Sequence, residues 1–159
     1  MGGTKQGKRA RTSYWSKMNY HFKIHKEKKG FWAECLEIPG CLTQGDNLNE
    51  LQANMQEALS LILDEPEDSK IIFPLPNSKF KRIKSVKEIS VEPNIAFAFL
   101  LRRSRLQKGL TQVQMKEKLH YKSLFSYQKL EMSKYANPTL KSLKRIKDAL
   151  PDFPFQLLL

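Results

Sequence analysis

Seven carboxylates crowd one short span of the chain: Glu34, Glu37, Asp46, Glu50, Glu57, Asp64 and Glu65. Clustered carboxylates are what a two-metal nuclease needs, because paired magnesium ions must be held beside the attacking and leaving oxygens. Their spacing argues against that chemistry. Glu34 and Glu37 stand an odd number of residues apart, so along one strand they point to opposite faces. Glu50, Glu57 and Asp64 recur every seven residues and fall in one stripe of a helix, opposite its apolar stripe, as a solvated or partner-facing surface does. His21 and His25, four apart on a strand-like run, read as exposed polar-face residues and not as metal ligands. Cys35 and Cys41 are too few for a disulfide framework and not spaced as a zinc knuckle, so they read as reduced, packing thiols. No nucleophile is paired with a histidine at a readable spacing, and no glycine loop of the phosphate-cradling type occurs. The expectation is a protein that is not an enzyme and takes no metal or cofactor.

The stretch from Ile38 to Leu63 must position these carboxylates. It opens on a Pro39-Gly40 turn, continues through a short run from Cys41 to Gly45, and passes Asp46 and Asn47 into an amphipathic segment. Leu48, Leu51, Met55, Ala58, Leu59 and Ile62 share one helical face. Asn47 is the expected N-cap, with Glu50 reaching back to the amide of Asn47 in a capping box. Upstream, Tyr20 to His25 alternates with the period of a half-buried strand, Tyr20, Phe22 and Ile24 inward and His21, Lys23 and His25 outward. The charged turn Lys26 to Gly30 leads to a second strand, Phe31 to Leu36, as an antiparallel hairpin. Leu42 to Gly45 adds a third strand and Val86 to Val91 a fourth. Pro66 ends the helix, while Pro74 and Pro76 keep the intervening chain extended.

Pro93 marks a change of pattern. Helices are expected over Asn94 to Lys108, Thr111 to Leu119, Ser123 to Met132 and Thr139 to Leu150, with Gly109 stopping the first and Thr111 capping the second. Short helices joined by short turns suit a helix-turn-helix domain. Phe153, Phe155 and Leu157 to Leu159 are apolar for a chain end and are expected to dock, on their own domain or across a dimer. The expected division is thus a disordered basic tail over 1–17, an α+β module over 18–92, an all-α module over 93–150 and an apolar segment over 151–159. Met18 directly precedes the first strand and is a second candidate translation start.

Charge follows the same division. Residues 1–17 hold five basic and no acidic residues, 18–69 four basic and ten acidic, and 70–159 nineteen basic and six acidic, for a net charge of +12. An acidic module joined to a basic one implies two partners, a cationic protein and a nucleic acid. The apolar run Ile95 to Leu101 is too short to span a bilayer, and no apolar core follows the basic amino terminus as in a signal peptide, so a soluble cytoplasmic protein is expected.

The run from Phe31 through Ile38, Pro39, Gly40, Cys41, Leu42, Thr43, Gln44, Gly45 and Asp46, followed by Leu48, Glu50, Leu51, Glu57, Ala58 and Leu59, resembles the amino-terminal module of HicB antitoxins. The Pro-Gly turn and the Thr-Gln-Gly-Asp segment are its specific part. That resemblance implies a partial ribonuclease-H-like fold without catalytic carboxylates. It also implies a partner, a small basic HicA-like ribonuclease toxin, for which Glu34, Glu37, Asp46, Glu50, Glu57 and Asp64 are the candidate docking residues. Complementary charge would speed their encounter.

The second module is similar to lambda-repressor and Cro-like helix-turn-helix domains at Leu101, Arg105, Gly109, Leu110, Thr111, Gln112, Leu119, Leu130, Glu131, Asn137, Pro138, Leu140 and Ile146. The resemblance implies that Arg105 pairs with Glu131 to tie the first helix to the third, and that Gln112 meets a phosphate at its helix start. Between Leu119 and Glu131 the chain has one residue more than the usual spacing. His120 or Tyr121 stands where a turn glycine is common, and Leu124 and Phe125 fall near positions that usually carry polar base readers. The DNA-contact candidates are Lys122, Ser123, Ser126, Gln128 and Lys129, with Gln112, Lys116 and Lys134 toward phosphates; Tyr127 and Leu130 are expected in the core. Together these features imply a type II antitoxin that binds its toxin and represses its own operon. It would act as a homodimer or higher oligomer, with recognition helices roughly 34–36 Å apart on operator DNA. The alternatives are a stand-alone helix-turn-helix regulator whose acidic domain senses a ligand, and an RNA-processing enzyme.

Overall fold

The computed structural model describes residues 17–64 and 69–159, so the expectations for the basic tail and for Pro66 lie outside the described residues. The fold is α+β. Strands β1 (Asn19–Lys26), β2 (Phe31–Cys35) and β3 (Leu42–Gly45) precede helix α1 (Leu48–Leu63). A 3-10 turn (Ser78–Arg82) then leads into β4 (Val86–Ser90). Four helices follow: α2 (Pro93–Gln107), α3 (Gln112–Lys118), α4 (Leu124–Glu131) and α5 (Leu140–Ala149). The strands form one antiparallel sheet in the order β3-β2-β1-β4.

Pairing of Phe22 with Cys35, Ile24 with Ala33 and Tyr20 with Ile89 puts these residues on one face, the face that α1 covers. The helix buries Leu51, Met55, Leu59 and Leu63 there, each worth about 1.5–3 kcal/mol in removed apolar surface. Leu48, expected in that stripe, is 54% exposed because it begins the first turn, ahead of the sheet contact; Ala58 and Ile62 sit at the edge of the core. Asn47 caps the helix by accepting from the Glu50 amide at 2.9 Å. Glu50 reaches back one residue further than expected, accepting from the Asp46 amide at 2.8 Å and not from that of Asn47. Gly45 lets the end of β3 touch the helix: a Cβ there would lie 2.6 Å from the Leu51 amide nitrogen and 2.9 Å from its Cα.

Pro93 occupies the first turn of α2, where its missing N–H costs nothing. From Ile95 to Arg102 every residue of α2 is buried. This helix joins the two halves: Arg102 donates to the Leu63 carbonyl at the end of α1 (2.9 Å), and Arg103 donates to the Phe73 carbonyl (3.1 Å). One cluster of buried side chains accordingly runs from Met18 and Tyr20 through α1 and α2 to Ile146 and Phe153. The apolar end folds back on its own chain: Phe153 is buried against Phe97, and Phe155, Leu157 and Leu158 pack on the same core while Leu159 remains exposed. Among the described residues no helix is long and apolar enough to cross a membrane.

Candidate functional site

The acidic residues singled out in the sequence do not gather into one surface. Glu37 is buried, 6% exposed, which removes it from any docking face. Its carboxylate accepts from the His21 backbone amide (3.0 Å) and the Asn77 amide (3.1 Å), and its Oε1 lies 2.6 Å from His21 Nδ1. His21 is buried as well, at 2%, contrary to its expected place on an exposed polar face. The cause is the segment 69–85 ahead of β4, which turns over this end of the sheet. Phe80 meets the imidazole edge-on at 6.3 Å, and Glu88, directly opposite His21 on β4, comes within 3.5 Å of Nε2 and also pairs with Lys81 at 3.2 Å. That covering segment has no hydrophobic periodicity, so alternation along β1 could not reveal it. His25 does lie on the outer face, stacked on Trp32 at 3.9 Å and 3.0 Å from Glu34.

The remaining acidic candidates divide between two places. Glu34 is on the outer face of the sheet, away from α1. Asp46 and Glu50 surround the start of α1, and Glu57 and Asp64 continue along its exposed side. Among the described residues no group of three or more His, Cys, Asp or Glu side chains could hold a metal ion. Cys35 and Cys41 are both free and buried, with the Cys35 amide donating to the Cys41 carbonyl at 2.8 Å. The neighbouring Cys41 thiol and burial push the Cys35 thiol up, while the same neighbour draws the Cys41 thiol down; Cys35 Sγ also donates to Glu37 Oε2 at 3.5 Å.

The helical half is organised by a buried polar network. Arg105 on α2 donates from Nε and Nη2 to the two oxygens of Glu131 on α4, at 2.6 and 3.0 Å, and from Nη1 to the Leu110 carbonyl at 3.0 Å. Tyr127 also donates its hydroxyl to Glu131. Gln112, the first residue of α3, donates to Glu131 at 3.2 Å and accepts from Gln128 at 3.0 Å. One carboxylate thus ties α2, α3 and α4 together. Thr111 and Gln114 form a reciprocal capping box on α3. His120 adopts the left-handed backbone (φ 56°) that a turn glycine would supply, and the Tyr121 hydroxyl donates to Ser142 of α5 at 2.7 Å.

Ser123 caps α4, its hydroxyl accepting from the Ser126 amide at 3.1 Å. Tyr127 and Leu130 face the core, whereas Lys122, Ser123, Phe125 and Ser126 are exposed and Lys129 is half-exposed beside them. Lys116 is half-buried on α3, and Lys134 lies past the end of α4 with its ammonium 5.4 Å from the Tyr135 ring centre. Phe125, not among the contact candidates, is a large apolar side chain left in solvent on this surface. Its position in the first turn of α4 is the signal that could have found it.

No family model matches the chain. Over 39 residues it is 44% identical to a UPF0150 protein of Synechocystis sp., a match covering 24% of this chain and 54% of that protein. The chain thus spans about half the length of the curated relative it matches.

Proposed function

We propose that this protein is the antitoxin of a type II toxin-antitoxin system. Its sheet-and-α1 layer binds and neutralises a HicA-like ribonuclease toxin, and α3 and α4 act as a helix-turn-helix that places a dimer on operator DNA to repress its own operon. The observation that carries this reading is the Gln112–Gln128–Glu131–Arg105 network. It fixes the start of α3 against α4 while leaving Lys122, Ser126 and Lys129 on the open side of α4, the arrangement a recognition helix needs. The acidic first half beside the basic second half, and the partial likeness to a UPF0150 protein, are compatible with it. With Glu37 withdrawn into the interior, the toxin-facing candidates narrow to Asp46, Glu50, Glu57 and Asp64 around α1, with Glu34 on the other face.

The test is binding of the full chain to the DNA upstream of its own gene, followed by fluorescence anisotropy against an unrelated duplex. Specific binding whose logarithm falls with log salt by about 0.9 per phosphate neutralised is the expected result. Equal affinity for both duplexes, or none for either, contradicts the repressor role. Specific DNA binding without neutralisation of any toxin leaves the stand-alone regulator.

A further inference from the structure

Phe125 occupies the second position of α4 and is 59% exposed. Its ring is approached by the Lys129 ammonium at 5.3 Å from the ring centre, one turn further along the helix. Along the same surface its neighbours are Lys122, Ser123 and Ser126, all exposed and either cationic or hydroxylic. An apolar ring set among lysines is poorly suited to a basic protein partner, which the like charge repels, and well suited to a polyanion that also offers an apolar contact. In duplex DNA the apolar feature of the major groove is the C5-methyl group of thymine, and phenylalanine is among the side chains able to meet it. The first turn of a recognition helix is the part that reaches base edges.

We infer that Phe125 is a base-reading residue that recognises a thymine by packing on its methyl group, with Lys129 beside it directed to the backbone phosphates. This inference rests on the DNA-binding reading of α3 and α4. Ser126 and Lys122 then supply polar contacts around an apolar anchor, in place of a recognition helix read by polar side chains alone. Because Phe125 is exposed, its removal leaves the core and the Arg105–Glu131 network intact.

The experiment enriches a random duplex pool on the full chain and then replaces each thymine of the selected site, one at a time, by uracil. Loss of a methyl contact should weaken wild-type binding about fourfold at one thymine per half-site. In Phe125→Ala that methyl sensitivity should vanish while a duplex of the same sequence is still bound. Uracil substitutions that leave the wild type unchanged overturn the inference, as does a methyl sensitivity that persists in Phe125→Ala. So does a Phe125→Ala variant whose change is confined to oligomeric state by sedimentation, which would place the ring at a contact between copies. If the wild type enriches no duplex at all, the parent reading fails first, and the outcome is distinguishable because no site is obtained.

Discussion

Arg105 and Glu131, 26 residues apart, are both almost fully buried and satisfy each other in two parallel hydrogen bonds. Such a pair contributes little over an apolar replacement, but removing one partner strands the other charge in the interior. Arg105→Ala should therefore cost about 3–5 kcal/mol, read as a lowered urea midpoint, and should loosen Gln112 and Gln128 together. A second effect at this scale concerns the phenols. Burial, then the nearby Glu131 carboxylate, pushes Tyr127 far above the ordinary range; burial, then Cys35 and Glu37, does the same for Tyr20. In the unfolded chain both ionise near pH 10 (roughly the free-tyrosine value), so above that pH the folded state holds protons that the unfolded state has lost. Their contribution is fully present below about pH 10 and declines as pH rises beyond it. Phenolate absorbance should show Tyr20 and Tyr127, of five tyrosines, ionising only as the chain unfolds, and Tyr127→Phe should flatten the alkaline loss. Ionisation of all of them while helical signal persists would contradict this.

Among the elements, the contact between β3 and α1 depends on one missing side chain. Gly45→Ala would drive a methyl into the Leu51 backbone and should destabilise the fold by about 1–3 kcal/mol, checked by thermal unfolding; an unchanged midpoint would mean that the two elements part at no cost. Gly45 belongs to the Thr-Gln-Gly-Asp segment that stands out in the sequence, and its physical reason is this close approach. Strand β3, the Asn47 cap and the four later helices were legible because each is encoded by local signals: alternation, a cap residue, a stop. His21, Glu37 and Leu48 were not, for reasons that no local window contains. The first two are buried by a segment more than fifty residues downstream of His21, and the third precedes the point where α1 meets the sheet. The network through Gln112 was legible only as far as Arg105 and Glu131; that Gln128 closes it depends on how α4 is seated against α3 after the left-handed turn at His120.

Across the whole molecule, the change of pattern at Pro93 divides the sequence more sharply than the core is divided. Arg102 and Arg103 bind carbonyls of the first half, and α2 is buried between the two layers. Unfolding should accordingly be one transition: tryptophan fluorescence, which reports Trp15 and Trp32 ahead of Pro93, should coincide with the helical circular dichroism dominated by residues beyond it. Separate transitions would show two independently stable modules. The most direct test of the proposed antitoxin role is growth of cells expressing the product of the adjacent gene, with and without this chain. The expected result is arrest and RNA cleavage by the neighbour alone, and restored growth with a stable complex when both are made. A neighbour that is harmless alone, or one that still arrests growth in the presence of excess chain, would contradict it.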